Sequence, residues 1–211
     1  FSLQTNGYAI TEEWASLFKE NGFLIGISVD GNKNQHDRYR VDEKGEGTFL
    51  RVIDKLKILE KYKVDYNALC VVTGNTDPVK AYSSLKREGF SFLQFIPCLD
   101  PYEEERGKRE FSLTPEKYSL FLSSTFDLWY RDWKNGKYTS VRLFDDYVHL
   151  AMGEAPSSCS VLGRCGGYIV VEADGSIYPC DFYVTDKWRI GMFQDFATVD
   201  EVYRSKVMED F

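Results

Sequence analysis

The sequence has 211 residues, 43% hydrophobic and 28% charged, with 26 Lys and Arg against 33 Asp and Glu and a net charge of -7. That is enough apolar material for one or two packed domains, too much charge for a membrane-embedded chain and too many apolar residues for a disordered one. The acidic surplus has no basic stripe to offset it, which argues against nucleic acid as a partner, and no apolar run reaches the roughly 18 residues that a membrane helix needs. Phe1–Gly7 starts as the end of a strand and runs straight into a turn, so the sequence is expected to be an internal segment of a longer protein. Thr11 to Glu20 has a helical pattern. Thr11 is placed to cap it, and Glu12 and Glu13 lie in the first turn, where the helix dipole favours acids. Asn21-Gly22 stops it. Residues 23–29 form an unbroken apolar run, the pattern of a strand buried on both faces in a parallel sheet. After Asp30-Gly31 a polar loop is expected. A helix follows from about Thr48 to Tyr62, with Phe49, Val52, Ile53, Leu56 and Leu59 on one stripe.

The alternation continues. Val64 to Thr73 reads as a strand, and Asp77-Pro78 opens a helix that ends at Gly89, with proline at a tolerated first position. Phe90 to Ile96 is the next strand. An acidic loop over 100–110 leads to Thr114-Pro115-Glu116 and a long helix reaching Trp133. Right-handed crossovers between such strands give a parallel sheet or part of a β/α barrel. Val141 to Met152 reads as another helix. Beyond Gly153 the style changes to cysteines, glycines and two short strands, 168–172 and 176–178, around Ala173-Asp174-Gly175, a hairpin signal. The fold class is therefore α/β, with a division in the 136–153 region: residues 1–138 as one domain and 139–211 as a second.

Chemistry concentrates in two places. Cys159, Cys165 and Cys180 are spaced C-x5-C-x14-C, with Gly163, Gly166 and Gly167 beside the first pair. Thiolates bind zinc or iron–sulfur clusters, and glycines let the backbone fold tightly around a metal. A hairpin between the last two would return Cys180 toward Cys165. Three ligands are one short of four, and three buried free thiols are the competing reading. Five cysteines, odd in number and clustered, do not make a secreted disulfide framework, so a reducing cytoplasmic compartment is expected. Cys70 and Cys98 sit in or beside apolar strands and read as packing residues. Asp181 follows Cys180 directly; a carboxylate there is either a base or a turn residue. The second place is the polar set Ser28, Asp30, His36, Asp37 and Arg40, just past a strand end, where parallel α/β proteins bind ligands. Gln4-Thr5-Asn6 and Gln94 to Leu99 close two other strands in the same way. There is no glycine-rich phosphate loop and no dinucleotide fingerprint.

These segments resemble a known family. Leu3-Gln4-Thr5-Asn6-Gly7, residues 26–31 (GISVDG) and His36-Asp37-Arg38-Tyr39-Arg40 are similar to the third and fourth barrel strands of radical S-adenosylmethionine (AdoMet) enzymes, and Gln94-Phe95-Ile96-Pro97 to their sixth. Residues 165–184 (CGGYIVVEADGSIYPCDFYV) resemble the start of the cluster-binding extension called SPASM, and the ending Cys-Asp-Phe-Tyr-Val resembles that of anaerobic sulfatase-maturating enzymes. The resemblance implies a partial (β/α) barrel of the radical SAM type, strands 3–6, followed by the start of a SPASM auxiliary-cluster domain with a β-hairpin. It implies reductive cleavage of AdoMet and oxidation of a cysteine or serine side chain in a sulfatase polypeptide to formylglycine. Ser28 and Arg40, and less closely Leu99, match the family's AdoMet contacts. Cys159, Cys165 and Cys180 match three ligands of an auxiliary [4Fe–4S] cluster, and Asp181 matches the base. An unfolded sulfatase polypeptide or peptide and an electron donor such as flavodoxin or ferredoxin are the implied partners, and a monomer is expected. The family's C-x3-C-x2-C motif for the AdoMet-cleaving [4Fe–4S] cluster is not among these residues. It is expected before Phe1, and the remaining auxiliary-cluster cysteines after Phe211, so the activity is assigned to the parent protein rather than to this segment. Two alternatives stand beside it: another SPASM-type peptide-modifying enzyme, or a non-catalytic thiolate–metal module.

Overall fold

The computed structural model describes residues 1–211 and divides the chain into two compact units, 1–145 and 146–211. In the first, strand and helix alternate: β1 (Ser2–Thr5), α1 (Glu12–Glu20), β2 (Leu24–Ser28), α2 (Lys33–Tyr39), α3 (Phe49–Lys61), β3 (Asp65–Val72), α4 (Pro78–Arg87), β4 (Phe92–Pro97), α5 (Pro115–Lys134) and β5 (Ser140–Val141). The division falls within α6 (Arg142–Ala151). The five strands form one parallel sheet in the order β1-β2-β3-β4-β5. Parallel pairing brings the ends of successive strands to one side. Ser28 lies opposite Leu69, and Val72 opposite Pro97.

The apolar run at β2 is fully buried on one face, where the alternating Ile25, Ile27 and Val29 meet Ala68, Cys70 and Val72 of β3; on the other face Leu24 is exposed and Ser28 half-buried, so the burial on both faces that the run predicts is only partly met. Cys70 is thus the packing residue it reads as. The α3 stripe Phe49, Val52, Leu56 and Leu59 covers the sheet, with Ile53 half-buried at its margin. Phe121, Thr125 and Trp129 repeat every four residues along α5 and form its buried face. Each large side chain so buried contributes about 1.5–3 kcal/mol. Thr11, Asp77 and Thr114 each accept a hydrogen bond from the backbone N–H three residues on, with proline at the first helical position of α4 and α5. Asp132 of α5 accepts from the Tyr82 hydroxyl at 3.1 Å and pairs with Lys86, both of α4, which fixes how these helices meet. No helix is long and apolar enough to cross a membrane.

Two elements differ from the expectation. Residues 33–39, expected as a loop, form α2. Its N-terminus is a capping box in which the Asn32 side chain accepts from the Gln35 N–H and the Gln35 side chain accepts from the Asn32 N–H. Only His36 of this helix is buried, so no apolar stripe announces it. Val141, expected to start a helix, belongs to the two-residue β5 and pairs with Leu93; so short a strand has no period to read.

The second unit holds α7 (Cys159–Leu162), β6 (Val170–Val171), β7 (Ser176–Tyr178), β8 (Gly191–Met192), α8 (Val199–Tyr203) and α9 (Lys206–Asp210). The expected hairpin is present, with Val170 opposite Tyr178 and Val171 opposite Ile177. Gly175 has a φ of 87°, a backbone conformation that suits glycine. β8, which the sequence pattern does not announce, adds a third antiparallel strand against β7.

Candidate functional site

A cavity of about 600 Å³ lies over the ends of β2 and β3, walled by Asp30, Gln35, Arg38, Arg40, Thr73 and Cys98 among others. Cys98, read as a packing residue, is only half-buried and faces this cavity. A chain of hydrogen bonds fixes the wall. Arg40 donates to Asp30 through Nε (2.5 Å to Oδ2) and Nη2 (3.4 Å to Oδ1). Asp30 Oδ1 also accepts from the Val71 N–H at 2.8 Å, so the carboxylate joins β3 to the segment after α2. The Asp30 N–H donates to His36 Nδ1 at 3.2 Å, and His36 Nε2 lies 3.0 Å from Thr48 Oγ1. The Thr48 hydroxyl donates to the Arg40 carbonyl at 3.0 Å.

That pattern assigns the imidazole. Nδ1 accepts and the Thr48 proton is already committed, so His36 is neutral with its hydrogen on Nε2. Burial lowers its pKa to about 4, against the opposing pull of Asp30. Burial acts the other way on Asp37, but the Lys33 side chain at 2.6 Å and the Phe49 N–H at 2.9 Å outweigh it and hold the carboxyl below its ordinary range. Gly74 lies between Thr73 and Asn75, which line the cavity. Its N–H donates to the Phe111 carbonyl, and a Cβ there would sit 2.1 Å from the Ser112 carbonyl oxygen. Only glycine lets these two loops meet so closely.

Of the residues expected to touch AdoMet, Arg40 lines the cavity. Ser28 is half-buried at the end of β2, two residues before Asp30, and Leu99 is exposed just beyond β4. In the second unit, Cys159 starts α7 and is exposed, Cys165 is exposed, and Cys180 is half-buried; all three are free thiols. The buried Asp146 carboxylate accepts from the Ser157 N–H at 2.6 Å and from the Ser158 hydroxyl, which pins the chain just ahead of Cys159. Asp181 lies beside Cys180 and accepts from the Tyr168 hydroxyl at 2.5 Å; that hydroxyl is also 3.4 Å from Cys180 Sγ. Burial and then the Asp181 hydrogen bond push the Tyr168 phenol up. Nothing in the sequence marks Tyr168 beyond its place directly after the Gly166-Gly167 pair. The donor set suits a thiophilic centre, but no three His, Cys, Asp or Glu side chains converge on one point. Cys180 is joined to Asp181 and Tyr168, not to the other two thiols.

The chain is 46% identical over 213 residues to the cysteine-type anaerobic sulfatase-maturating enzyme of Clostridium novyi (strain NT), and 48% identical over 212 residues to that of Clostridium perfringens (strain 13 / Type A). The chain belongs with the anaerobic sulfatase-maturating enzymes. Each alignment takes in all of this chain but 57% of the relative, so the chain spans less than two thirds of the length of these curated relatives. The serine-type enzyme of Bacteroides thetaiotaomicron is 30% identical over 220 residues. Among solved structures, native anSMEcpe with bound AdoMet and Kp18Cys peptide superposes with a TM-score of 0.94 at 47% identity, covering 100% of this chain and 58% of that one. Streptococcus suis SuiB bound to its precursor peptide SuiA gives a TM-score of 0.62 at 14% identity, which shows a shared fold alone. No family model matches. The family and fold implied by residues 165–184 and the strand-end segments are thus borne out along the whole chain.

Proposed function

We propose that the intact protein oxidises a cysteine side chain of a sulfatase polypeptide to formylglycine. The observation that carries this reading is the 46–48% identity to cysteine-type enzymes along the whole chain, against 30% to the serine-type one. AdoMet, once reductively cleaved at a [4Fe–4S] cluster, supplies a hydrogen-abstracting radical. The chain's own residues bind and move protons around that chemistry. Arg40 and Ser28 would hold the aminoacyl end of AdoMet, and Leu99 would contact its adenine side. A guanidinium already fixed at the cavity wall is the right donor for a carboxylate. Asp181 takes the proton released when the substrate side chain is oxidised. Cys159, Cys165 and Cys180 would be the ligands this chain offers to an auxiliary [4Fe–4S] cluster, with further ligation from outside these residues. Unit 1–145 then corresponds to the barrel and unit 146–211 to the start of the SPASM domain. A flavodoxin or ferredoxin supplies the reducing electron, and the protein works as a monomer in the cytoplasm.

Anaerobic incubation of the intact protein with AdoMet, a reductant and paired cysteine- and serine-containing peptides tests this reading by mass spectrometry. The cysteine peptide is expected to be converted to the aldehyde, faster than the serine peptide. AdoMet cleavage with no aldehyde from either peptide would point to a different peptide modification. Colourless protein holding zinc and no iron would leave a thiolate–metal module.

A further inference from the structure

We propose that Asp30 is the positioning residue that presents Arg40 to a ligand carboxylate, with His36 and Thr48 holding the two of them in register. The inference rests on the reading of Arg40 as the contact for the AdoMet aminoacyl group, and adds the device that makes that contact effective. An arginine side chain loses much rotamer freedom when it is fixed, so an unrestrained guanidinium is a weak receptor for one anion. Here both ends of the residue are held. At the main chain, the Arg40 carbonyl accepts from the Thr48 hydroxyl at 3.0 Å and from the Thr48 N–H at 3.2 Å. At the side chain, Asp30 takes Nε and Nη2, and Nη1 enters neither bond.

Asp30 is itself immobilised. Its Oδ1 accepts from the Val71 N–H, and its backbone N–H is held by the fully buried His36 ring. The ring also reaches Thr48, so one closed circuit runs Asp30, His36, Thr48, Arg40 and back to Asp30. The Asp30 side chain is 13% exposed and that of Arg40 is 30% exposed, and both line the cavity. The pair is therefore not sealed in the core as a strut. It leaves part of a fixed, planar fork facing the cavity. Asp30 lowers the net charge of the site, so it does not act by attracting an anion. Its contribution is orientation.

The test compares two ligands that differ in the carboxylate. S-adenosylhomocysteine carries the aminoacyl group, whereas 5′-methylthioadenosine lacks it. Binding of each to the intact protein is measured by calorimetry for the parent, Asp30→Ala, Asp30→Asn and Arg40→Gln. Asp30→Ala is expected to weaken S-adenosylhomocysteine about tenfold, as for a lost charge-assisted contact, and to leave 5′-methylthioadenosine within about twofold. Arg40→Gln is expected to show the same selective loss, at least as large. If Arg40→Gln shows it and the Asp30 variants bind both ligands like the parent, the positioning role is wrong. If Arg40→Gln leaves the ratio of the two affinities unchanged, the Arg40 reading fails instead. An equal loss of both ligands in the Asp30 variants would mean general damage to the cavity and would also overturn the proposal. Asp30→Asn, which keeps an acceptor for Val71, carries the comparison if Asp30→Ala does not fold.

Discussion

The buried imidazole of His36 makes the stability of this protein depend on acid in a defined window. In an unfolded chain the ring takes a proton near its ordinary pKa of 6.5; in the folded protein it resists until about pH 4. Above both values the ring is neutral in either state and contributes no pH dependence. Between them the unfolded chain binds the extra proton, so the folded state loses ground as pH falls. A fully buried ring with this difference costs about 1 kcal/mol by about pH 5.5 and roughly 2–3 kcal/mol by about pH 4.5. Below about pH 4 the folded ring is protonated too and the loss levels off. Urea unfolding of the parent and of His36→Gln, followed by circular dichroism at matched pH, isolates the effect, because the carboxylates titrate alike in both. The stability advantage of the parent over His36→Gln at neutral pH should shrink by that amount on acidification. A difference that stays constant from neutral pH to about pH 4.5 would refute the neutral, buried assignment of His36.

Other substitutions probe separate parts of the structure. Gly74→Ala sets a methyl against the Ser112 carbonyl at 2.1 Å and should lower stability by about 1–3 kcal/mol; an unchanged melting temperature would contradict the close loop contact. Asp132→Ala strands the Tyr82 hydroxyl and the Lys86 ammonium between α4 and α5, and should cost about 1–3 kcal/mol in urea unfolding, whereas a neutral result would show that the pair is not structural. Asp181→Asn in the intact protein should still cleave AdoMet yet make little aldehyde; parent-level aldehyde would remove Asp181 as the base. Cys165→Ala should lower the anaerobic iron content by about one four-iron cluster per chain, and an undiminished count would dismiss it as a ligand.

Much of the fold is legible in the sequence because its elements bury whole stripes or runs. Residues 23–29 announce a strand by an apolar run whose alternating Ile25, Ile27 and Val29 are fully buried, and the Phe49-Val52-Leu56-Leu59 spacing can serve only one side of a helix. Thr11, Asp77 and Thr114 mark helix starts by chemistry that needs no tertiary contact. What escapes is local or long-range. α2 is specified by a four-residue capping box and one buried histidine, with no hydrophobic period. β5 is two residues held by pairing with Leu93, which lies 48 positions earlier. The site divides in the same way. Asp30, His36 and Arg40 stand out as a polar cluster after a strand, but their circuit closes only through Thr48, eight residues beyond Arg40 in a different element. Tyr168 reaches Asp181 across 13 positions, and only the folded hairpin brings them together.

The most direct measurement of the central claim uses a substrate peptide deuterated at the cysteine β-carbon. Under strictly anaerobic turnover with AdoMet and the intact protein, the account predicts that deuterium from this carbon appears in 5′-deoxyadenosine as the peptide becomes an aldehyde. Aldehyde formed without deuterium in that product, or 5′-deoxyadenosine formed with the peptide unchanged, would contradict it.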